Sequence, residues 1–180
     1  DYTTMMVIGL GRDENYYWVD GVRDKLDLGQ RTNALFQLVE MYRPIRVGYE
    51  QYGLQTDIDH IKAEQVRHNF RFEIQQLGGN VSKTDRVERL IPVFRTNRFY
   101  LPYTLMRPNA EGHSIDLVQE FVNFEYMQWP VPTHDDMLDC SSRILDQDMR
   151  TTWPQGAGVL APMEAGDMAT ADSNYDPLAH

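Results

Sequence analysis

Cysteine is almost absent: Cys140 is the single one in 180 residues. A lone thiol closes no internal disulfide and supplies too little for a Cys/His zinc site, so the composition suits a reducing compartment. No apolar run approaches the roughly 18 to 20 residues of a membrane span, and no secretory signal opens the chain. Neither a GxxxxGK[ST] sequence nor another glycine-rich phosphate loop occurs, so this stretch does not encode ATP hydrolysis. Internal repeats are missing, and no Ser or Cys nucleophile arrangement is visible. The length suits one domain with an extension. The first residue is Asp1 rather than Met, and a strand follows at once, as expected of a piece cut from a longer chain.

What the chain does have is unevenly placed charge. The formal net charge is -10. Residues 60 to 110 nevertheless hold nine basic side chains (Lys62, Arg67, Arg71, Lys83, Arg86, Arg89, Arg95, Arg98, Arg107) against four acids, a local +5 that leaves -15 for the rest. The distribution matters more than the sum. A basic region beside acidic clusters fits a nuclease, whose metal site is acidic and whose flanks hold phosphates; a solvated mixed-charge surface has the same composition. An acidic domain of this kind grips DNA weakly by itself.

Hydropathy patterning predicts alternating elements. Thr3 to Leu10 and Tyr16 to Val22 read as an antiparallel hairpin around Gly11-Arg12-Asp13-Glu14-Asn15. Residues 29 to 42 read as a helix with Leu35, Leu38, Val39 and Tyr42 on one face and Pro44 just beyond. A strand over 45 to 50, a helix near 55 to 68, and a strand near 71 to 77 stopped by Gly78-Gly79 follow. Ser82 to Arg95 is a helix with a capping spacing from Ser82 to Asp85, and Pro92 should kink it or end it early. A short edge strand over 99 to 101 and helices near 114 to 126 and 134 to 147 complete the ordered part. This order predicts an α/β fold: a mixed, largely central sheet flanked by helices on both faces. From Asp148 the composition turns to Gly, Pro, Ala, Met, Thr and Asp without periodicity, which predicts a flexible acidic tail over 148–180 behind a domain over 1–147.

Two acidic features point to chemistry. Asp135, Asp136 and Asp139 fall in the opening turns of a helix after Pro130-Val131-Pro132, where spacings of three and four put them partly on one face. Like charges held that close favour a hard divalent cation with oxygen ligands. The same residues suit a cap, since Thr133 and Asp136 have the capping-box spacing and acids in a first turn complement the helix dipole. Glu50 ends the strand over 45 to 50, where Ile45, Val47 and Tyr49 alternate with Arg46 and Gly48. In open α/β sheets that carboxyl edge is where ligands bind; a solvated strand-end glutamate has the same local sequence.

The segments "DYTTMMVIGLG", "YYWVDGVRDKL", "VGYEQYGLQTDI", "SKTDRVERLIPVF" and "HDDMLDC" resemble, in that order and at similar separations, the nuclease domain of tailed-bacteriophage terminase large subunits, over roughly residues 1 to 147. The resemblance implies an RNase H-like three-layer αβα fold related to RuvC-type resolvases. It implies a metal-dependent endonuclease that cuts concatemeric viral double-stranded DNA during genome packaging. The implied cofactors are two Mg2+ or Mn2+ ions, and the implied site is Glu50 with Asp135 or Asp136, and Asp139 as a further acid. The implied first-strand aspartate falls upstream of this chain, with Asp1 matching an auxiliary one. Lys83 matches a basic position near the active site and would neutralise phosphate charge, with Arg86 and Arg89 as clamps on the DNA backbone. Asp85 and Arg89 also have the spacing of an ordinary ion pair. His134 would support the carboxylates or activate water, or simply start the helix. The implied partners are a preceding ATPase domain, the portal protein and the small terminase subunit, in the host cell cytoplasm, with no membrane. A junction resolvase and a non-catalytic module docking on the packaging machinery are the alternatives.

Overall fold

The computed structural model describes residues 2–50, 55–109 and 111–155, and the chain is a mixed α/β fold. Strands β1 (Thr3–Leu10) and β2 (Tyr16–Asp24) form the expected antiparallel hairpin, in register from Thr3 with Asp24 to Leu10 with Tyr16. Its turn closes through Gly11 N–H on Asn15 O at 2.9 Å and Glu14 N–H on Gly11 O at 3.0 Å. The register shifts between Val7 and Ile8, so Val19 is the extra residue of a bulge. Gly21 is obligatory in this hairpin: a Cβ there would lie 2.6 Å from the carbonyl oxygen of Met5.

Helix α1 (Leu28–Tyr42) follows. Asp27 caps it by accepting from Gln30 N–H at 2.8 Å, while the Gln30 side chain accepts from Asp27 N–H at 2.9 Å, a reciprocal capping box. Strand β3 (Val47–Glu50) starts two residues later than the apolar alternation suggests, because Ile45 is 86% exposed and belongs to no core. Helix α2 (Gln55–Arg67) leads to β4 (Ile74–Leu77), which pairs with β3 in parallel and sets Glu50 opposite Leu77.

The helix expected over Ser82 to Arg95 is two short ones. Helix α3 (Lys83–Glu88) is capped by Ser82 Oγ, which accepts from Asp85 N–H at 3.1 Å. Helix α4 (Ile91–Arg95) restarts after Leu90 with Pro92 in its opening positions, where the missing proline N–H removes no helical bond. Strand β5 (Phe99–Tyr100) joins β2 in parallel.

The region expected as one helix over 114 to 126 is composite. Strands β6 (Met106–Pro108) and β7 (Ser114–Asp116) form a hairpin, α5 (Leu117–Glu120) follows, and Phe121–Tyr126 is a π-helical segment. Asp116 ends the hairpin and starts the helix at once: its carboxylate accepts from Leu105 N–H and Val118 N–H, each at 3.0 Å. Those donors, and Thr104 Oγ1 at 2.7 Å, hold the Asp116 pKa below its usual value. Last comes α6 (Asp136–Ser142), with 3-10 turns over Arg143–Leu145 and Gln147–Met149.

A single continuous sheet is therefore not observed. Among the described residues the strands make three separate ladders, β1-β2-β5, β3-β4 and β6-β7. Side-chain packing joins the first two, because Met5 of β1 packs into a cluster formed by Leu35, Val39, Val47 and Ile61. The larger core lies on the other side and includes Trp18, Leu90, Leu117, Phe121, Met137 and Leu138, each 3% exposed or less. Burying side chains of this size stabilises by about 1.5–3 kcal/mol each. That core locks α6 in place through Met137 and Leu138, which is how a surface carboxylate on the same helix acquires a fixed position.

The packed chain also runs past the boundary at 147 suggested by composition. Trp153 sits edge-on against Tyr16, with ring centroids 4.9 Å apart, and Arg98 lies 5.8 Å from the Trp153 ring. A large aromatic surface buried against a core offsets the loss of chain entropy that low-periodicity sequence otherwise leaves uncompensated. Of the tail expected over 148–180, residues 156–180 lie outside the described residues. No helix among the described residues is long and apolar enough to cross a membrane.

Candidate functional site

Strand β1, the end of β3 and the start of α6 enclose a cleft of about 590 Å³, with Glu50, Lys83, Asp136, Asp139, Cys140 and Arg143 in its wall. Glu50 and the acidic helix start, far apart in sequence, thus face one space. Each reaches it by a local rule: β3 stops at Glu50, and Asp136 and Asp139 occupy the first turn of α6.

Cations stand between these acids. The Arg86 guanidinium grips Asp139 with two bonds, Nε to Oδ1 at 2.9 Å and Nη2 to Oδ2 at 2.8 Å, and its Nη2 lies 3.8 Å from Glu50 Oε1. The Glu50 carboxylate is also held by Arg143, whose Nη1 pairs with Asp146 at 2.9 Å. The Lys83 ammonium lies 2.5 Å from Asp135 Oδ1 and 3.8 Å from Asp136 Oδ1. Desolvation pulls the Lys83 pKa down, but the hydrogen bond and charge of Asp135, with Asp139 and Asp136 beyond, outweigh it and hold the pKa above its usual value. Arg143 is likewise raised: burial opposes the charge, and Asp146 and Glu50 overcome it.

The remaining sequence-predicted residues distribute as follows. Arg86 is 5% exposed and committed to Asp139, so it holds the site together from within and does not present a clamp to DNA. Arg89 pairs with Asp146 at 2.8 Å rather than with Asp85, and keeps a side chain 37% exposed. His134 meets the edge of Tyr2, with ring centroids 5.6 Å apart, in a separate hollow of about 300 Å³ shared with Arg23 and Glu120. Asp1 lies outside the described residues.

Thr133 does not cap the acidic helix. The N-cap is Asp135, which makes no side-chain cap bond, and the N–H of Leu138 instead donates to Glu125 Oε2 at 2.8 Å. Glu125 is fully buried, and its other oxygen lies 3.7 Å from Arg23 Nε without a hydrogen bond. Burial pushes the Glu125 pKa up to about 7, against the lowering effect of the Leu138 N–H and of Arg23. Glu125, Arg143 and Asp146 are the site residues that sequence reasoning missed. Their partners are long-range, and only Arg143 with Asp146 has a local spacing that could have flagged it.

Cys140 ties α6 to β1, with Sγ 3.7 Å from Thr4 O. Desolvation, with Asp139 and Glu50 nearby, pushes its thiol up to about 12, so it stays protonated at neutral pH and is no nucleophile.

No family model matches this chain, and no curated protein matches it.

The donor chemistry is that of a hard-cation site: carboxylate oxygens from two elements, facing one cleft and already neutralised by cations. Among the described residues no three His, Cys, Asp or Glu side chains stand close enough to surround one ion. Lys83 and Arg86 occupy the intervening positions.

Proposed function

We propose that the chain is an RNase H-like endonuclease domain of the terminase type, cutting double-stranded DNA with divalent metal during viral genome packaging. The observation that supports this most is the convergence of Glu50 with Asp136 and Asp139 on one cleft, since phosphodiester hydrolysis by two ions requires several carboxylates from different parts of a chain. The order of the five sequence segments adds to it. When bound, Mg2+ or Mn2+ supplies an activated water and stabilises the leaving oxygen. Glu50, Asp135, Asp136 and Asp139 are the proposed ligands, and they would have to draw closer than they stand here, with Lys83 and Arg86 between them, to surround an ion. Lys83, with a side chain 39% exposed at the cleft, would meet the phosphate, and Arg89 would lie along the DNA backbone. The ATPase domain, portal and small terminase subunit are proposed partners on the resemblance alone.

The test is cleavage of plasmid DNA by the protein with Mn2+ present. Nicking and linearisation are expected, abolished by EDTA and reduced to background by Glu50→Ala. Cleavage that persists in EDTA contradicts the proposal, and a strong preference for branched DNA over linear duplex moves it to a resolvase.

A further inference from the structure

The hollow of about 300 Å³ has none of the cleft's carboxylates in its wall. One side of it comes from a single helical run: Glu120, Phe124 and Gln128 stand four residues apart, from α5 through the π-helical segment to the turn beyond, so successive turns present them together. The other side is Arg23, near the end of β2, with Tyr2 and His134. The Arg23 side chain is 8% exposed and lays its guanidinium on the Tyr2 ring, 4.1 Å from the centroid. Its bonds are poor. Nη1 reaches Glu120 Oε2 only at 3.5 Å, and Nε, buried and 3.7 Å from Glu125 Oε1, makes no hydrogen bond among the described residues. A guanidinium carries five N–H donors, and a buried one is normally satisfied. At the same hollow Phe124 is 54% exposed, the Glu120 side chain is 33% exposed, and Gln128 spends its amide N–H on Asn123 O at 3.1 Å, which leaves its amide oxygen to accept.

We propose that this hollow holds one unstacked guanine base, with Phe124 against its face and the Arg23–Glu120 pair along its edge. The wall selects a flat ligand that accepts and donates on neighbouring atoms: a simple anion would meet Glu120, and a simple cation would meet Arg23. Guanine offers O6 and N7 to a guanidinium, the commonest specific arginine contact with a base, and its amino group donates to a carboxylate. Adenine sets an amino group beside N7, which turns a donor toward a group that can only donate. The volume is at the small end of ligand sites and suits a base rather than a larger molecule. Stacking on Tyr2 holds the guanidinium plane in place beforehand, so less side-chain freedom is lost when the base arrives. A ring against the face and hydrogen bonds along the edge are how single-stranded and extruded bases are read. The inference needs no metal and does not rest on the nuclease reading.

The test is binding in EDTA, by calorimetry with dGMP, dAMP, dCMP and dTMP, and by fluorescence anisotropy with labelled short oligothymidylates carrying one central dG or dA. Guanine should bind about tenfold more tightly than adenine. A preference seen in the strands with dGMP silent assigns the site to single-stranded DNA, and dGMP binding as tightly as the dG strand assigns it to the free nucleotide. Phe124→Ala, at an exposed position, should weaken every base about tenfold. Glu120→Gln should remove most of the guanine preference, and both variants should melt as the unaltered protein does. Equal binding of the bases, no binding of either probe, or a full guanine preference in Glu120→Gln overturns the proposal and leaves Mn2+-dependent cleavage untouched. Failure of that cleavage, with guanine binding intact, sinks the nuclease reading alone.

Discussion

Asp139→Ala should lower the free energy of unfolding by about 3–5 kcal/mol, the largest loss expected from any single change at the cleft. The cause lies in Arg86 rather than in the aspartate. Its guanidinium is 5% exposed and makes its two side-chain bonds to Asp139 at 2.9 and 2.8 Å. Truncating the carboxylate leaves a buried charge with the Val81 carbonyl on Nη1 at 2.8 Å and, as the nearest remaining carboxylate among the described residues, Glu50 at 3.8 Å. Urea denaturation measures the difference directly. Replacing both partners, Arg86→Met with Asp139→Leu, should return most of the lost stability, because a buried ion pair contributes little beyond an apolar pair of similar volume. An Asp139→Ala protein that unfolds within about 1 kcal/mol of the original would show that Arg86 finds water, and that the cleft is more open than described.

Glu125→Gln should remove a decline in stability between about pH 4.5 and 7. The folded pKa of Glu125 is pushed up from 4.5 to about 7, chiefly by burial. Its sign is opposite to that of a salt-bridged acid. Over that window the unfolded chain has lost the proton while the folded chain keeps it, so the unfolded state binds fewer protons and stability falls as pH rises. Below about pH 4.5 both states are protonated and nothing is lost; above 7 both are ionised and the loss is complete, of order 3 kcal/mol. The amide introduced by Glu125→Gln would mimic the protonated acid and still accept from Leu138 N–H. The measured quantity is the stability of Glu125→Gln minus that of the unaltered protein, expected near zero at pH 4.5 and positive by that amount at pH 8. The subtraction matters because Asp13 and Asp116, with lowered pKa values, change stability in the opposite direction. Parallel pH profiles would contradict the assignment.

Elements that depend on their own residues were legible in the sequence. Helix α1 shows its apolar stripe, and the hairpin shows its alternation and its turn. Ser82 marks a helix start because its hydroxyl meets a backbone N–H three residues on. What depended on distant partners was not legible. Ile45 fits the apolar alternation of a strand, yet it stays 86% exposed and joins no core. Residues 114 to 126 read as a helix because nothing local shows that Ser114–Asp116 pairs with Met106–Pro108; Asn109 and Gly112, with Gly112 at a φ of 81°, were the available turn signal. Trp153 stood in a stretch without periodicity, and its place is explained by distant partners, the ring of Tyr16 and the guanidinium of Arg98.

The site divides along the same line. Carboxylates clustered at a helix start or left at a strand end announce themselves by local spacing, which is why Glu50, Asp135, Asp136 and Asp139 could be named. Which cation meets which acid is set by packing. Arg86 was expected on DNA and lies under Asp139. The cap of α6 comes from Glu125, a residue 13 positions before Leu138 on another element, rather than from Thr133 beside it.

Anomalous diffraction from crystals soaked in Mn2+ tests most directly whether this cleft is a metal centre. Density is expected in the cleft, within about 2.0–2.5 Å of carboxylate oxygens of Glu50 and of Asp135, Asp136 or Asp139. A cleft without an anomalous peak at millimolar Mn2+ would contradict the metal reading and the nuclease built on it.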